Sequence, residues 1–331
     1  MDASLSVEMT ALVACLSPYS EESVRALFKG RHAVEVVVAP EPPDQEAVLN
    51  LTHAAHLVIG DRRHKHRVDR RVLENMRNCQ LIQQPAVGFD SIDHRAAAEY
   101  GIPVSNAAGY NREAVADWTV MAMLNLLRRG AWGDRLMRGG WWGRTEVMGR
   151  ELGSVTVGIV GLGNVGGTVA RRLTGFGSRV LYTDPDPTRE FAGAERVELD
   201  ELLATADVVC IHTPLDVDTR GLIGSAQLAA MKPDAILINA ARGPIVDEAA
   251  LVEALSSGKL AGAGLDVFTV EPLAADSPLR RFENVFISPH SAAATEEADA
   301  HLLQVVGENL LRVLDGEAPV SVVNQVLAAR R

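Results

Sequence analysis

The stretch VTVGIVGLGNVGGTVARRLTGFGSRVLYTD, residues 155–184, decides the fold. An apolar run leads into three glycines, then a helical segment, then a second apolar run that ends in an acid. Gly161 permits the tight turn out of the first strand, Gly163 lets the backbone approach a pyrophosphate, and Gly166 lets the next helix pack closely on the sheet. The first N–H groups of that helix, around Asn164 and Val165, would hold the pyrophosphate at the positive end of the helix dipole. Asp184 lies about 20 residues beyond the glycines, where a carboxylate accepts hydrogen bonds from the hydroxyls of an adenosine ribose. Pro185 follows it in the same expected pocket. A 2′-phosphate would be repelled by Asp184, so the expected cofactor is NAD rather than NADP.

Outward from this unit, 331 residues exceed the usual size of one core, which predicts two domains. Lys plus Arg total 32 and Asp plus Glu 43, and the net charge of −11 argues against non-specific nucleic-acid binding. An anionic substrate would need local positive charge. Cys15, Cys79 and Cys210 are far apart and lack metal-ligand spacing, so they are expected to be reduced packing residues, and no metal is expected. The N-terminal MDASLSVEMTALVACLSPYS has no basic region ahead of its apolar stretch and is interrupted by Glu8, which does not predict a secretory signal. No run approaches the roughly 18–20 apolar residues of a membrane span. A cytoplasmic protein without a membrane or nucleic-acid partner is the expectation.

Short apolar runs alternate with helical patterns from ALVACL onward: SEESVRALFKG, HAVEVVVAP, DQEAVLNLT, HLVIG, QLIQQPAVG, SIDHRAAAEYG and IPVSNAAG. This punctuation predicts a parallel α/β unit over residues 1–106. A long helix is expected from about Asn111 to Arg129, apolar on most faces and therefore buried between domains or subunits. The Gly- and Trp-rich text after Gly130 reads as a connecting arm. Six strand segments follow from Val155: VTVGIVG, SRVLYTD, DVVCIHTP, AILINAA, LAGAGLDVF and NVFISPH. A last helix, about Thr295 to Leu314, is expected to return to the first unit. The fold class is thus α/β, with two Rossmann-like doubly wound parallel-sheet domains and the cofactor domain (107–293) inserted into a flavodoxin-like substrate domain (1–106 with 294–331). A cleft between them is the expected active site.

Three polar residues stand at expected strand ends in the cofactor domain, where open α/β sheets place their ligands: Arg242, Glu271 and His290. Arg242 precedes Gly243 and Pro244, so the chain turns there and its guanidinium can clamp an anion. Glu271 precedes Pro272, and His290 is followed by Ser291 and three alanines that leave space for a ring. Hydride transfer to a 2-oxo acid needs a proton donor for the carbonyl oxygen and a cation for the carboxylate. A neighbouring carboxylate would favour the imidazolium and fix its orientation. His290 is the expected acid/base, Glu271 its partner and Arg242 the substrate clamp.

Over nearly its whole length the chain resembles the D-2-hydroxyacid dehydrogenase family, on GLGNVG with Asp184, HTPL at 212–215, NAARGPIVDE at 239–248, GAGLDVFTVEP at 262–272 and SPHSAAAT at 288–295. The resemblance implies an NAD-dependent enzyme interconverting a small 2-oxo acid and its D-2-hydroxy acid, as a homodimer. It also implies cofactor contacts at Thr213, Pro214, Thr219 and Ala240, at Asp266 near the nicotinamide carboxamide, and at Thr119. AVGFDSID at 86–93 is similar to the family's glycine-rich substrate loop, so N–H groups near Val87 and Gly88 are implied to bind the substrate carboxylate. Ala86 departs from the glycine frequent there. Val87 stands where phosphite-oxidising relatives carry lysine. The formate enzymes pair their histidine with glutamine, unlike Glu271.

The run DRRHKHRVDRR places Arg62, Arg63, His64, Lys65, His66 and Arg67 together in an acidic protein. Related phosphoglycerate dehydrogenases have an arginine near this place, so Arg62 is a candidate for a second anionic group on the substrate, a phosphate or phosphonate. The bland alternative is a solvated helix start. Little chain follows the last helix, so the C-terminal regulatory domain of many phosphoglycerate dehydrogenases is not expected. The competing reading is a dimeric NAD-sensing protein of the corepressor type, which resembles the same family and keeps the same three polar residues.

Overall fold

The computed structural model describes residues 10–42 and 44–327. Residues 1–9 of the N-terminal stretch considered above lie outside the described residues. The chain divides into two compact units, Met1–Tyr110 with Glu296–Arg331, and Asn111–Thr295.

In the first unit the elements run β1 (Ala11–Cys15), α1 (Glu21–Ala26), β2 (Val34–Val38), α2 (Gln45–Thr52), β3 (Leu57–Ile59), α3 (Arg70–Asn75), β4 (Leu81–Gln83), α4 (His94–Glu99) and β5 (Val104–Ser105). The strands pair in parallel in the order β2-β1-β3-β4-β5, the flavodoxin-like arrangement. Each of α1 to α4 starts on a side-chain cap, from Ser20, Asp44, Asp69 and Asp93 in turn, which satisfies N–H groups that the first helical turn leaves open. Helix α3 is not among the periodic segments of the sequence and starts at the end of the basic stretch, for which a helix start is the bland alternative. It is six residues long, follows the basic run, and is held by Asp69 accepting from the Val72 N–H at 3.0 Å.

The second unit opens with α5 (Arg112–Leu127) and α6 (Gly130–Arg138), followed by β6 (Thr156–Val160), α7 (Asn164–Thr174), β7 (Arg179–Thr183), β8 (Ala194–Arg196), α8 (Leu199–Thr205), β9 (Val208–Ile211), α9 (Ser225–Ala230), β10 (Ile236–Asn239), α10 (Glu248–Ser256), β11 (Gly262–Leu265) and β12 (Val285–Ile287). The sheet is parallel, in the order β12-β11-β10-β9-β6-β7-β8. It has seven strands where the apolar runs predict six. The extra edge strand, β8, is polar and three residues long, and it is held by backbone pairing to Val180–Tyr182 and an Arg179–Glu195 ion pair. Part of the expected arm is also helical: α6 buries none of its residues and carries an Arg138–Asp134 pair one turn apart.

Strands β6, β9 and β10 are buried almost throughout, with one apolar core on each face of the sheet. The last helix, α11 (Glu296–Leu314), belongs to the first unit, where Asn309 Nδ2 donates to Gln83 Oε1 on β4. Cys15, Cys79 and Cys210 are free thiols and buried, and burial pushes the Cys15 thiol up to about 12.

Candidate active site

The order of the second sheet reverses between β6 and β9, and open α/β sheets bind their ligands outside the carboxyl ends of the strands at such a point. The glycine turn sits there. A Cβ on Gly166 would fall 2.0 Å from the Gly161 carbonyl oxygen, so only glycine lets α7 start this close to β6. No side chain caps the start of α7, and the first N–H groups of a helix have no intrahelical acceptor, the arrangement in which a helix N-terminus can receive an anion. Asp184 ends β7 with its side chain only 3 % exposed, accepting from the Leu162 N–H at 2.7 Å and the Asp186 N–H at 2.9 Å. These features fit a dinucleotide: a cradle without side chains, helix N–H groups and a carboxylate in the same loop cluster.

Other predicted cofactor residues differ in how they are presented. Thr213, Pro214 and Thr219 lie in the loop after β9, where the Thr219 hydroxyl donates to the Pro214 carbonyl and braces the turn. Beside them burial holds His212 well below the usual histidine value, at about 4, so its ring is neutral. Ala240 packs against the core at the end of β10. Thr119 is fully buried in α5, and its hydroxyl donates to the Val115 carbonyl at 2.7 Å.

The three polar residues singled out for chemistry end up beyond neighbouring strands, β10, β11 and β12. After β10, Asn239 is buried and shapes the turn, donating from Nδ2 to the Arg242 carbonyl and accepting from the Ala241 N–H. The backbone at Gly243 then lies directly on the loop after β11: a Cβ there would meet the Phe268 carbonyl carbon at 2.0 Å. That close approach carries Arg242 toward Glu271. In the same loop Glu271 Oε1 accepts from the Phe268 N–H at 3.0 Å, and Oε2 is 2.8 Å from His290 Nδ1. A carboxylate only accepts, so Nδ1 carries the proton of that bond and Nε2 is the ring nitrogen outside it. Burial acts to raise the Glu271 pKa, but the hydrogen bonds from His290 and Phe268 and the charges of His290 and Arg242 outweigh it and hold the carboxyl below its usual range.

His290 itself is held by Asp266, which is buried at the end of β11. The Asp266 carboxylate accepts from the Ser288 hydroxyl at 2.5 Å, the Ser291 N–H at 2.8 Å and the Ala292 N–H at 2.8 Å, and its carbonyl accepts from the His290 N–H. This clasp keeps His290 in the left-handed backbone region, at φ 52°, a conformation that an unsupported non-glycine residue leaves. Sequence reasoning does not single out Asn239 or Ser288, the close approach of Gly243 to Phe268, or the clasping role of Asp266.

In the first unit, the Val87 carbonyl accepts from Asn106 Nδ2 at 2.7 Å and the Ala86 carbonyl from the Ala107 N–H, which fixes the loop of Val87 and Gly88. The basic run is largely compensated. Arg62 pairs with Asp299 at 2.8 Å, Arg63 with Glu41, and His66 with the buried Asp61, which also accepts N–H donors from Arg63, Lys65 and His66.

The family model of the D-isomer specific 2-hydroxyacid dehydrogenase NAD binding domain matches residues 120–292. Over 265 residues the chain is 41 % identical to a glyoxylate reductase of Korarchaeum cryptofilum, covering 78 % of this chain and 80 % of that one. It is 38 % identical over 311 residues to a D-3-phosphoglycerate dehydrogenase of Archaeoglobus fulgidus, covering 93 % of this chain but 58 % of the relative. Among solved structures, the TT0316 protein of Thermus thermophilus superposes with a TM-score of 0.83 at 36 % identity, over 94 % of this chain and 99 % of that one.

Proposed function

The chain belongs to the D-isomer specific 2-hydroxyacid dehydrogenase family as an NAD-dependent oxidoreductase, and on that premise we propose that Arg242, Glu271 and His290 carry the interconversion of a small 2-oxo acid and its D-2-hydroxy acid. The observation that carries the assignment is the 2.8 Å contact between His290 Nδ1 and Glu271 Oε2. When bound, NADH supplies the hydride for the carbonyl carbon. His290 donates the Nε2 proton to the carbonyl oxygen and takes it back in the oxidative direction. Glu271 stabilises the protonated ring and fixes its tautomer. Arg242 meets the substrate carboxylate and polarises the carbonyl, and the N–H groups near Val87 and Gly88 contribute to holding that carboxylate. Asp184 receives the adenosine ribose, Asn164 and Val165 receive the pyrophosphate, and the loops of Pro185, Thr213, Pro214, Thr219 and Ala240 line the rest of the cofactor.

Glyoxylate or hydroxypyruvate is the favoured substrate class. Arg62 already has Asp299 as its partner, and a phosphate or phosphonate on the substrate would have to displace it. The functional unit is a homodimer joined through the second unit. There Trp142 is 86 % exposed and Met148 is also exposed, and Met148 borders a cavity of about 610 Å³ lined also by Leu126, Trp132, Val285 and Phe286, at the amino ends of β10 to β12.

The test is NADH oxidation on glyoxylate, hydroxypyruvate, pyruvate, phenylpyruvate, 3-phosphohydroxypyruvate and phosphonopyruvate. Turnover concentrated on the small uncharged-tail acids is expected. No turnover on any, with NADH still bound, would favour the NAD-sensing account. In the same panel Arg62→Ala leaves glyoxylate unaffected, and a selective KM increase on the phosphorylated substrate would reinstate Arg62 as a phosphate contact.

A further inference from the structure

The loop that carries Glu271 buries little of itself. Phe268 is buried, but residues 269–272 are all exposed, Val270 at 71 %. A segment with so few buried contacts keeps one shape only where its backbone is tied down. Glu271 Oε2 has to stand 2.8 Å from His290 Nδ1, so the ties on this loop decide the geometry of the pair.

Two side chains from outside the loop supply them. Glu248 is the first residue of α10, and its Oε2 accepts from the Thr269 N–H at 3.0 Å. An acid in a first helical turn usually serves the helix's own N–H groups. Here Asp247 does that, accepting from the Ala249 and Ala250 N–H groups, and the Glu248 carboxylate goes to the loop instead. The peptide it holds also packs on the turn of Arg242, since a Cβ on Gly243 would lie 2.5 Å from the Thr269 nitrogen. On the far side of Glu271, Arg280 donates from Nε to the Ala274 carbonyl at 2.9 Å and from Nη2 to the Leu273 carbonyl at 2.8 Å. Both supports are anchored in the core: α10 buries Leu251, Ala254 and Leu255, and the short turn Pro278–Arg280 buries Leu279.

We propose that Glu248 and Arg280 are positioning residues of the reaction, acting on proton transfer through the backbone of residues 268–274 and hence through Glu271. Two consecutive N–H groups are each given to a carboxylate, Phe268 to Glu271 and Thr269 to Glu248. The first bond orients the Glu271 side chain, and the second fixes the peptide that follows. Releasing Thr269 lets residues 269–272 take other shapes, and the fraction of molecules with Glu271 on His290 falls. His290 itself stays in place, because Asp266 holds its backbone separately. This role rests on the acid/base assignment of Glu271 and His290 proposed above.

The test is a double-mutant cycle on the 2-oxo acid that the wild type reduces fastest, with NADH affinity read by fluorescence in each preparation. Glu248→Ala is expected to lower kcat by about tenfold, as a small displacement of a reacting group does, with NADH affinity kept within about threefold. Glu248→Gln, whose amide oxygen still accepts from Thr269, recovers most of that loss. In a Glu271→Ala background no carboxylate is left to position, so adding Glu248→Ala costs less than about threefold. Arg280→Ala gives the same pattern, and its cycle decides the matter if Glu248→Ala fails to bind NADH. An undiminished kcat in Glu248→Ala, or a loss of equal size with and without Glu271, would overturn the proposal while leaving the acid/base pair standing. An undiminished kcat in Glu271→Ala would overturn the pair, and this role with it.

Discussion

Replacing Glu271 by Gln removes one charge from the His290 pair while keeping its size and an acceptor oxygen. Two unit charges about 4 Å apart in an effective dielectric of about 20 interact by about 4 kcal/mol. The two side chains are 49 % and 36 % exposed, so screening by solvent reduces this to about 1–2 kcal/mol. That corresponds to a loss of about five- to thirtyfold in kcat for 2-oxo acid reduction. The assay is steady-state NADH oxidation across pH with glyoxylate, accompanied by NADH binding measured through fluorescence. NADH affinity stays within about threefold, since Glu271 acts on the ring and not on the dinucleotide. An unchanged kcat would refute the reasoning, and so would a loss that came entirely from weaker NADH binding.

Two further outcomes test the scaffold of the site. Gly243→Ala forces a Cβ against Phe268, at a distance of 2.0 Å in the present backbone; it should lower stability by about 1–3 kcal/mol and raise the substrate KM with NADH affinity retained, as read by denaturant unfolding and kinetics. Asp61 tests the pH dependence of the first unit: burial acts to raise its pKa, but N–H donors from His66, Arg63 and Lys65 and the His66 ring outweigh it and leave it lowered. Its stabilisation is therefore full above the unfolded carboxyl value of about 3.9 and is lost as pH falls through the lower folded value. Asp61→Asn should cost about 2–4 kcal/mol near neutral pH, and the gap to wild type should narrow in urea unfolding below about pH 4; a gap that is the same at both pH values would contradict the assignment.

Much of this architecture is legible in local sequence because the buried parallel strands are continuous apolar runs, and the glycine turn and its acid have fixed positions relative to them. Strand β8 is not, because Ala194–Arg196 has neither alternation nor apolar content, and its pairing comes from the neighbouring strand. The glycines at 130 and 133 lower the helical propensity of α6 and make it read as an arm. Arg242, Glu271 and His290 can be picked out as polar residues at strand ends, but their convergence depends on strand order, which sequence does not display. Asp266 shows the same limit: its place at the end of β11 is readable, whereas its grip on Ser288, Ser291 and Ala292 exists only once β12 lies beside it. For the basic run the compensating acids, Glu41 and Asp299, are distant in sequence, so the charge looks more available than it is.

The most direct measurement of the central claim is His290→Ala assayed on whichever 2-oxo acid the wild type reduces fastest, with NADH affinity measured in the same preparation. Loss of general acid catalysis alone accounts for about 10²–10⁴-fold, so turnover should fall by at least that lower bound while NADH affinity stays within about threefold. Wild-type turnover in His290→Ala would contradict the account.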